Sequence, residues 1–243
     1  VITPIRRSFT KGPRSKRSAI GQSSAAKGAV RRGNAPSVTG SAPLDRIIHV
    51  HPVTTSAIFT PVAAAATALA VTKSGGSGWS LAGWGLAGYV TWTLSEYWGH
   101  RIILHYEPER GFGAKLHYIL HGVHHDYPQD ARRSILSPLL SIPMVAGTFY
   151  ASSVLGGLPL TFGAGYTVGY LAYDLFHLYL HHGKPKNRLL RTLREYHMRH
   201  HFRDDTKGFG ISAPYWDELF GTSIARLPRR GQSAKAATSG RAV

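Results

Sequence analysis

Histidine is the residue whose type and spacing could do chemistry in this chain of 243 residues: it occurs 14 times, while cysteine is absent. Ten copies fall in four groups, namely His100 and His105 in GHRIILH, His121, His124 and His125 in HGVHH, His177 and His181 in HLYLHH, and His197, His200 and His201 in HMRHH. On an α-helix, spacings of three and four residues hold side chains within about a 100° arc, so each HxxHH group is expected to aim all its imidazoles at one centre. His177 and His181 lie one turn apart, and His100 and His105 are expected to flank the end of a helix. Buried neutral and unpartnered, these imidazoles would each carry a desolvation cost; protonated together, they would repel. A bound cation resolves both problems. Ten nitrogens exceed the ligand set of a single tetrahedral zinc and suit two metals with about five donors each. The expected site is therefore dinuclear and all-imidazole. Ligand type leaves the metal open among zinc, copper, iron and nickel.

The other histidines read differently. His49 and His51, beside Pro52, are expected at an interface, and His117 and His182 are spare or supporting groups near the ligands. Three carboxylates are placed to orient imidazoles and raise their basicity: Glu96, four residues before His100, Asp174, on the helical face of His177 and His181, and Glu195, for which an ion pair with Arg199 competes. The lack of cysteine excludes disulfides, thiolate zinc sites, iron–sulfur clusters and a cysteine nucleophile.

These groups must be positioned by long apolar elements. Residues 47–72, 74–95 and 134–173 carry no Asp, Glu, Lys or Arg. Each of the first two is long enough for one bilayer crossing, and the third is long enough for two with a turn at Gly156-Gly157-Leu158-Pro159. Four membrane helices are expected, near 52–72, 79–99, 136–156 and 160–181. A soluble helix would normally show a polar stripe, and PAAAA from Pro61, AGWGLAG from Ala82 and FGAGY from Phe162 show none. Glycine and alanine there would let helices approach closely in lipid, and Trp79, Trp84, Trp92 and Trp98 suit interfacial or packing positions. Because Lys and Arg concentrate in the N-terminal tail, in Arg101–Arg133 and after Lys184, all three are expected on the cytoplasmic face.

The formal net charge of +17 belongs to the ends. Residues 1–43 hold nine Lys/Arg and no acid, and residues 226–243 hold five and no acid. Both segments are expected to be disordered basic tails around a folded region at 44–225. The first reads equally as an organellar transit peptide or a polybasic membrane-surface tail, and it has no apolar signal-peptide core. With no folded basic face, a nucleic-acid partner is not expected.

The order and wording of the groups carry a resemblance. EYWGHRIILH, HYILHGVHHDYPQDARR, YDLFHLYLHH, REYHMRHH and GFGISAPYWDELFGT, from about Arg46 to Thr222, resemble the fatty acid hydroxylase (sterol desaturase) superfamily, and most closely its fatty acid 2-hydroxylases. The resemblance implies an all-α fold of four transmembrane helices with a cytosolic helical cap, the two holding a dinuclear site between them. Its ligands would be His100, His105, His121, His124, His125, His177, His181, His197, His200 and His201; His182 belongs to the motif without being a ligand. Two iron ions are then the expected cofactors, with zinc as a substitute on purification, and O2 is the co-substrate. The implied reaction is hydroxylation at C2 of a long-chain fatty acid or of a sphingolipid acyl chain. No HPGG haem-binding stretch is present, so electrons are expected from a separate donor such as cytochrome b5 or a ferredoxin, or from a segment upstream of Val1. The resemblance implies a multi-pass protein of the endoplasmic reticulum in a eukaryote or the inner membrane in a bacterium. Alternatives within the superfamily are a sterol or carotenoid hydroxylase or desaturase. A histidine-rich metal transporter is a weaker reading, because transporters keep polar groups near mid-membrane and these histidines gather at helix ends.

Overall fold

A computed structural model of the chain describes residues 34–73, 77–154 and 160–225, and every regular element among them is helical. Residues 1–33 of the tail expected at 1–43, the tail expected at 226–243 and the turn expected near Gly156 lie outside the described residues. In order, the helices are α1 (Ala42–Ile48), α2 (Val53–Lys73), α3 (Gly78–Trp98), α4 (Gly111–His117), α5 (Val123–Asp126), α6 (Pro138–Val154), α7 (Leu160–His182), α8 (Arg188–Phe202) and α9 (Tyr215–Leu219). Two π-helical turns interrupt the pattern, Gly99–Leu104 after α3 and Tyr118–Gly122 between α4 and α5.

The charge-poor intervals of the sequence coincide with α2, α3, α6 and α7. Among the described residues, α2 is the one helix both long and apolar enough to cross a membrane, while α6 is apolar but shorter at 17 residues. At 21 and 23 residues, α3 and α7 have the length. Glycine, tyrosine and hydroxyl side chains dilute their apolar character.

The centre of the molecule is α7, which packs most extensively on α3, then on α2 and α6. Small residues make the first contact close. A Cβ added at Gly165 would stand 1.9 Å from the carbonyl oxygen of Gly85, and one at Gly88 would stand 2.0 Å from that of Phe162. Backbone therefore lies on backbone there, as expected of small-residue helix interfaces. One turn further along, larger side chains fill the widening gap. Trp92 lies 5.3 Å from both Tyr166 and Tyr170, ring centroid to centroid, and 5.5 Å from Tyr173. Phe59, Val145, Leu180 and Ile211 complete this core.

Buried polar groups fix how the helices meet. Asp174, buried in α7, accepts hydrogen bonds from Thr55 Oγ1 of α2 and from the Leu136 backbone N–H ahead of α6, both at 2.8 Å. Burying a carboxylate is costly without such partners, so Asp174 ties three segments at one point.

The segment expected as structureless up to residue 43 is organised from residue 34 onward. The Ala35 N–H donates to Asp130 Oδ2 at 2.9 Å, Val38 packs with Val123 and Tyr127, and α1 begins at Ala42. His49 Nε2 also meets Asp130, at 2.8 Å, so this histidine anchors the segment instead of facing an interface.

Candidate metal centre

The ten histidines converge as two groups of five. His100, His105, His121, His125 and His200 form the first, and His124, His177, His181, His197 and His201 the second; within each, one ligand atom per ring lies within 4.8 Å of all the others. In the first group Nε2 faces Nε2 at 3.0 Å (His125–His121), 3.1 Å (His100–His121, His105–His200) and 3.2 Å (His105–His100, His105–His121). In the second the separations are 2.8 Å (His181–His197), 3.1 Å (His181–His177, His201–His197) and 3.2 Å (His124–His177). The groups adjoin, with the rings of His125 and His201 stacked at 4.2 Å between centroids.

This pairing corrects the expectation that each HxxHH box serves one centre. His121 and His125 belong to the first group while His124 belongs to the second; His197 and His201 belong to the second while His200 belongs to the first. The i and i+4 rings share one centre, and the i+3 ring turns to the other. The five-residue step from His100 to His105 closes because the chain is π-helical there: the His105 N–H bonds the His100 carbonyl at 3.0 Å. An i→i+5 turn brings residues five apart onto one face, and such turns recur at functional sites.

Protons cannot satisfy this geometry. His100 Nδ1 meets the Phe209 carbonyl at 2.7 Å, and His200 Nδ1 meets the Lys207 carbonyl at 2.6 Å. A carbonyl only accepts, so in each neutral ring the single proton sits on Nδ1 and Nε2 presents a lone pair. Both lone pairs face His105 Nε2, which carries at most one proton. A cation supplies what the site lacks. An imidazole–metal bond of about 2.0–2.1 Å sets neighbouring donors at right angles about 3 Å apart, close to the separations observed. The donor set therefore fits two metal ions, each with five imidazoles.

Electrostatics keeps the clustered imidazoles neutral. Burial first, and neighbouring imidazoles second, push His121, His124, His125, His197 and His201 well below the ordinary histidine range. His105 moves the same way. His200 is pushed down to about 4 by burial, the Lys207 carbonyl partly opposing. All stay neutral near pH 7, the form that coordinates.

The carboxylates named from the sequence act elsewhere. Glu96, buried on α3, accepts from the backbone N–H groups of Ile211 at 2.7 Å and Ser212 at 2.8 Å, and from the Ser212 hydroxyl. Asp174 ties helices together as described. Glu195 is exposed and paired with Arg199 at 2.5 Å. The groups that orient rings are main-chain carbonyls, on a loop from Lys207 to Ser212. Asp217, fully buried, clamps the same loop by accepting from the N–H groups of Phe209 at 2.8 Å and Gly210 at 2.9 Å. Backbone acceptors leave no side-chain signal; the acid at Asp217 three residues after Pro214 was the one available clue. The second centre differs, since the buried Nδ1 atoms of His124, His181, His197 and His201 have no partner. Of the remaining histidines, His182 is 3.4 Å from Ser134 Oγ, and His51 Nδ1 accepts from the Val53 N–H at 3.3 Å.

Comparison with known proteins gives concordant findings. The fatty acid hydroxylase family model matches residues 85–222, a stretch holding all ten clustered histidines. A dihydroceramide fatty acyl 2-hydroxylase of Arabidopsis thaliana is 39% identical over 145 residues, 56% of this chain and 58% of that one. A ceramide very long chain fatty acid hydroxylase of Saccharomyces cerevisiae is 39% identical over 144 residues, 56% of this chain and 37% of that one. The fatty acid 2-hydroxylase of Homo sapiens is 37% identical over 150 residues, 59% of this chain and 40% of that one. The matched stretch thus spans less than two thirds of each relative. Among solved structures, full-length scs7p, with only its hydroxylase domain visible, aligns with a TM-score of 0.72 at 30% identity, over 81% of this chain and 76% of that one. With the family model covering more than half of its length, the chain belongs to the fatty acid hydroxylase family.

Proposed function

We propose that the protein is a membrane-embedded di-iron oxygenase that hydroxylates C2 of a long acyl chain, as a free fatty acid or within a sphingolipid. The observation that carries this reading is the pair of adjoining five-imidazole clusters, in a chain whose relatives are named as fatty acid and ceramide hydroxylases. All ten histidines act as ligands in it. An all-nitrogen neutral donor set leaves a metal pair highly charged and electrophilic.

Iron, when bound with O2 and two electrons, supplies the oxidation of an unactivated C–H bond, which no acid or base side chain achieves. The chain holds and shields. Neutral rings present Nε2 to each centre, and the Lys207 and Phe209 carbonyls keep the protons of His200 and His100 on Nδ1. The Phe209 ring lies 5.4–5.9 Å from His100, His105 and His200, and Tyr173 stacks on His177 at 5.8 Å, so aromatic faces keep water off both groups.

Four helices, α2, α3, α6 and α7, lie in the bilayer in this reading, with the histidine-bearing segments as a cap on the cytoplasmic side. Outward-facing Val71 of α2, Leu86 of α3 and Tyr150 of α6, each more than 60% exposed, support lipid contact. Electrons come from a separate carrier such as cytochrome b5 or a ferredoxin. The endoplasmic reticulum in a eukaryote, or the inner membrane in a bacterium, is the corresponding location.

Expression in a host lacking 2-hydroxy lipids, followed by acyl-chain and metal analysis, tests the proposal. New 2-hydroxy acyl chains and two irons per chain are expected, the hydroxylation being lost in His124→Ala. Altered sterols or carotenoids with unchanged acyl chains would overturn it.

A further inference from the structure

Between them, α1, α4 with the π-turn after it, and the start of α6 enclose a cavity of about 270 Å³ whose wall is mostly aliphatic, with Leu44, Ile48, Ile119, Leu120, Leu136 and Leu140 among its lining. Its rim is apolar and open. Phe112 is 79% exposed, Leu139 58% and Leu44 51%, a clustering that soluble surfaces avoid and lipid contact explains. Beside it lies a second, more open hollow of about 480 Å³ of mixed lining, bordered by the charged or polar side chains of Arg46, His49 and Asp45 and by the backbone around Ser37.

Arg133 stands on the wall of both hollows. It is 8% exposed, and its Nε and Nη1 have no hydrogen-bond partner. Unpaired donors on a buried guanidinium are expensive and call for anionic oxygen. Asp130 and Asp45 attract the guanidinium through space but give their hydrogen bonds to other groups: Asp45 accepts from the Ser37 hydroxyl and the Val38 and Thr39 N–H groups, and Asp130 from Ala35, Arg132 and His49. An apolar slot, an adjoining hollow edged by charged side chains and a cation on the wall of both together have the shape of an amphiphile.

We propose that this pair of hollows binds an anionic membrane lipid, one acyl chain in the apolar cavity and the charged oxygens of its head on Arg133. At roughly 30 Å³ for a group the size of water, the cavity takes on the order of nine methylene-sized groups of a single chain. The head is a carboxylate or a phosphate, and none of the ten clustered histidines lines either hollow.

The test uses the full chain in uncharged detergent, with native mass spectrometry and thermal melting in the presence of oleate, dioleoylphosphatidylglycerol or neutral dioleoylglycerol. Wild type should retain one anionic lipid, binding it at least about tenfold more tightly than the neutral one. Retention of oleate alone identifies a carboxylate head, and of phosphatidylglycerol alone a phosphate head; both support the site. Arg133→Met should abolish the preference for charge while melting, without lipid, no lower than wild type, because the methionine fills the slot and removes two buried donors that have no acceptor. Leu116→Trp, at the mouth of the cavity, should reduce binding of every probe. Unchanged anionic binding in Arg133→Met, a marked loss of melting temperature with binding per folded molecule intact, or no saturable binding by wild type would each overturn the proposal.

Discussion

Removing the Glu96 carboxylate should loosen the first metal group from a distance, because this side chain touches the loop and not the rings. In Glu96→Ala, the N–H groups of Ile211 and Ser212 lose their acceptor while Ile211 remains 3% exposed. Each buried donor left unpaired costs about 1–3 kcal/mol, and the Ser212 hydroxyl can turn elsewhere, so the expected loss of stability is about 3–5 kcal/mol once the vacated volume is included. The loop carries the carbonyls that meet His100 and His200, and loss of such support typically weakens metal affinity by about 10–100-fold. Glu96→Gln is the control. Both backbone donors bond the same oxygen, Oε1, which an amide retains, so this variant should lose about 1–2 kcal/mol and keep its metal. The assay is thermal melting together with metal content under graded chelator competition. An alanine variant with wild-type melting and full metal content would refute the reasoning, as would a glutamine variant as damaged as the alanine.

Further outcomes follow from the same structure. His121→Ala and His124→Ala remove rings from different groups although only three residues separate them; Mössbauer spectra of the two iron-loaded variants should differ, and identical spectra would contradict the divided box. The metal-free chain should lose stability as pH falls. His200 is held down to about 4 when folded against about 6.5 when unfolded, so the unfolded state takes up the proton first, and stability should decline from about pH 6.5 toward about pH 4; denaturant midpoints flat across that window would exclude this. Chelation should lower the melting temperature and metal return should restore it, since binding to the folded state alone stabilises it by mass action. Gly165→Ala should cost about 3 kcal/mol or more, because the new Cβ would stand 1.9 Å from a backbone oxygen of α3 that cannot step aside; melting within a degree of wild type would refute that close approach.

What could be read from residues alone was what depends on local repetition. The interval expected as the first span, 52–72, is matched by α2 at 53–73 because absence of charge over twenty residues is a local property. The ten clustered histidines were likewise visible as types and spacings. Three things were not. The division of each HxxHH box follows from where α7, α8 and the π-turns place the two centres relative to one another, and an α-helical wheel contains no such information. The partners of Glu96 lie 115 and 116 residues away on a loop, so its four-residue spacing from His100 suggested a contact that the fold spends elsewhere. The ordering of residues 34–43 depends on Asp130, about a hundred residues downstream, and composition alone made that segment look unable to pack.

In the two-metal centre proposed above, the divided boxes also govern how the ions fill. HGVHH and HMRHH each lend rings to both sites, so the ions act like rivets driven through the same two plates: seating one squares up the plates for the next. The second ion then meets rings already aligned and loses less freedom on entering. Under metal shortage, a population of molecules built as proposed should sort into empty and fully loaded forms, with few caught halfway, and scarcity would switch off whole molecules instead of dimming all of them together.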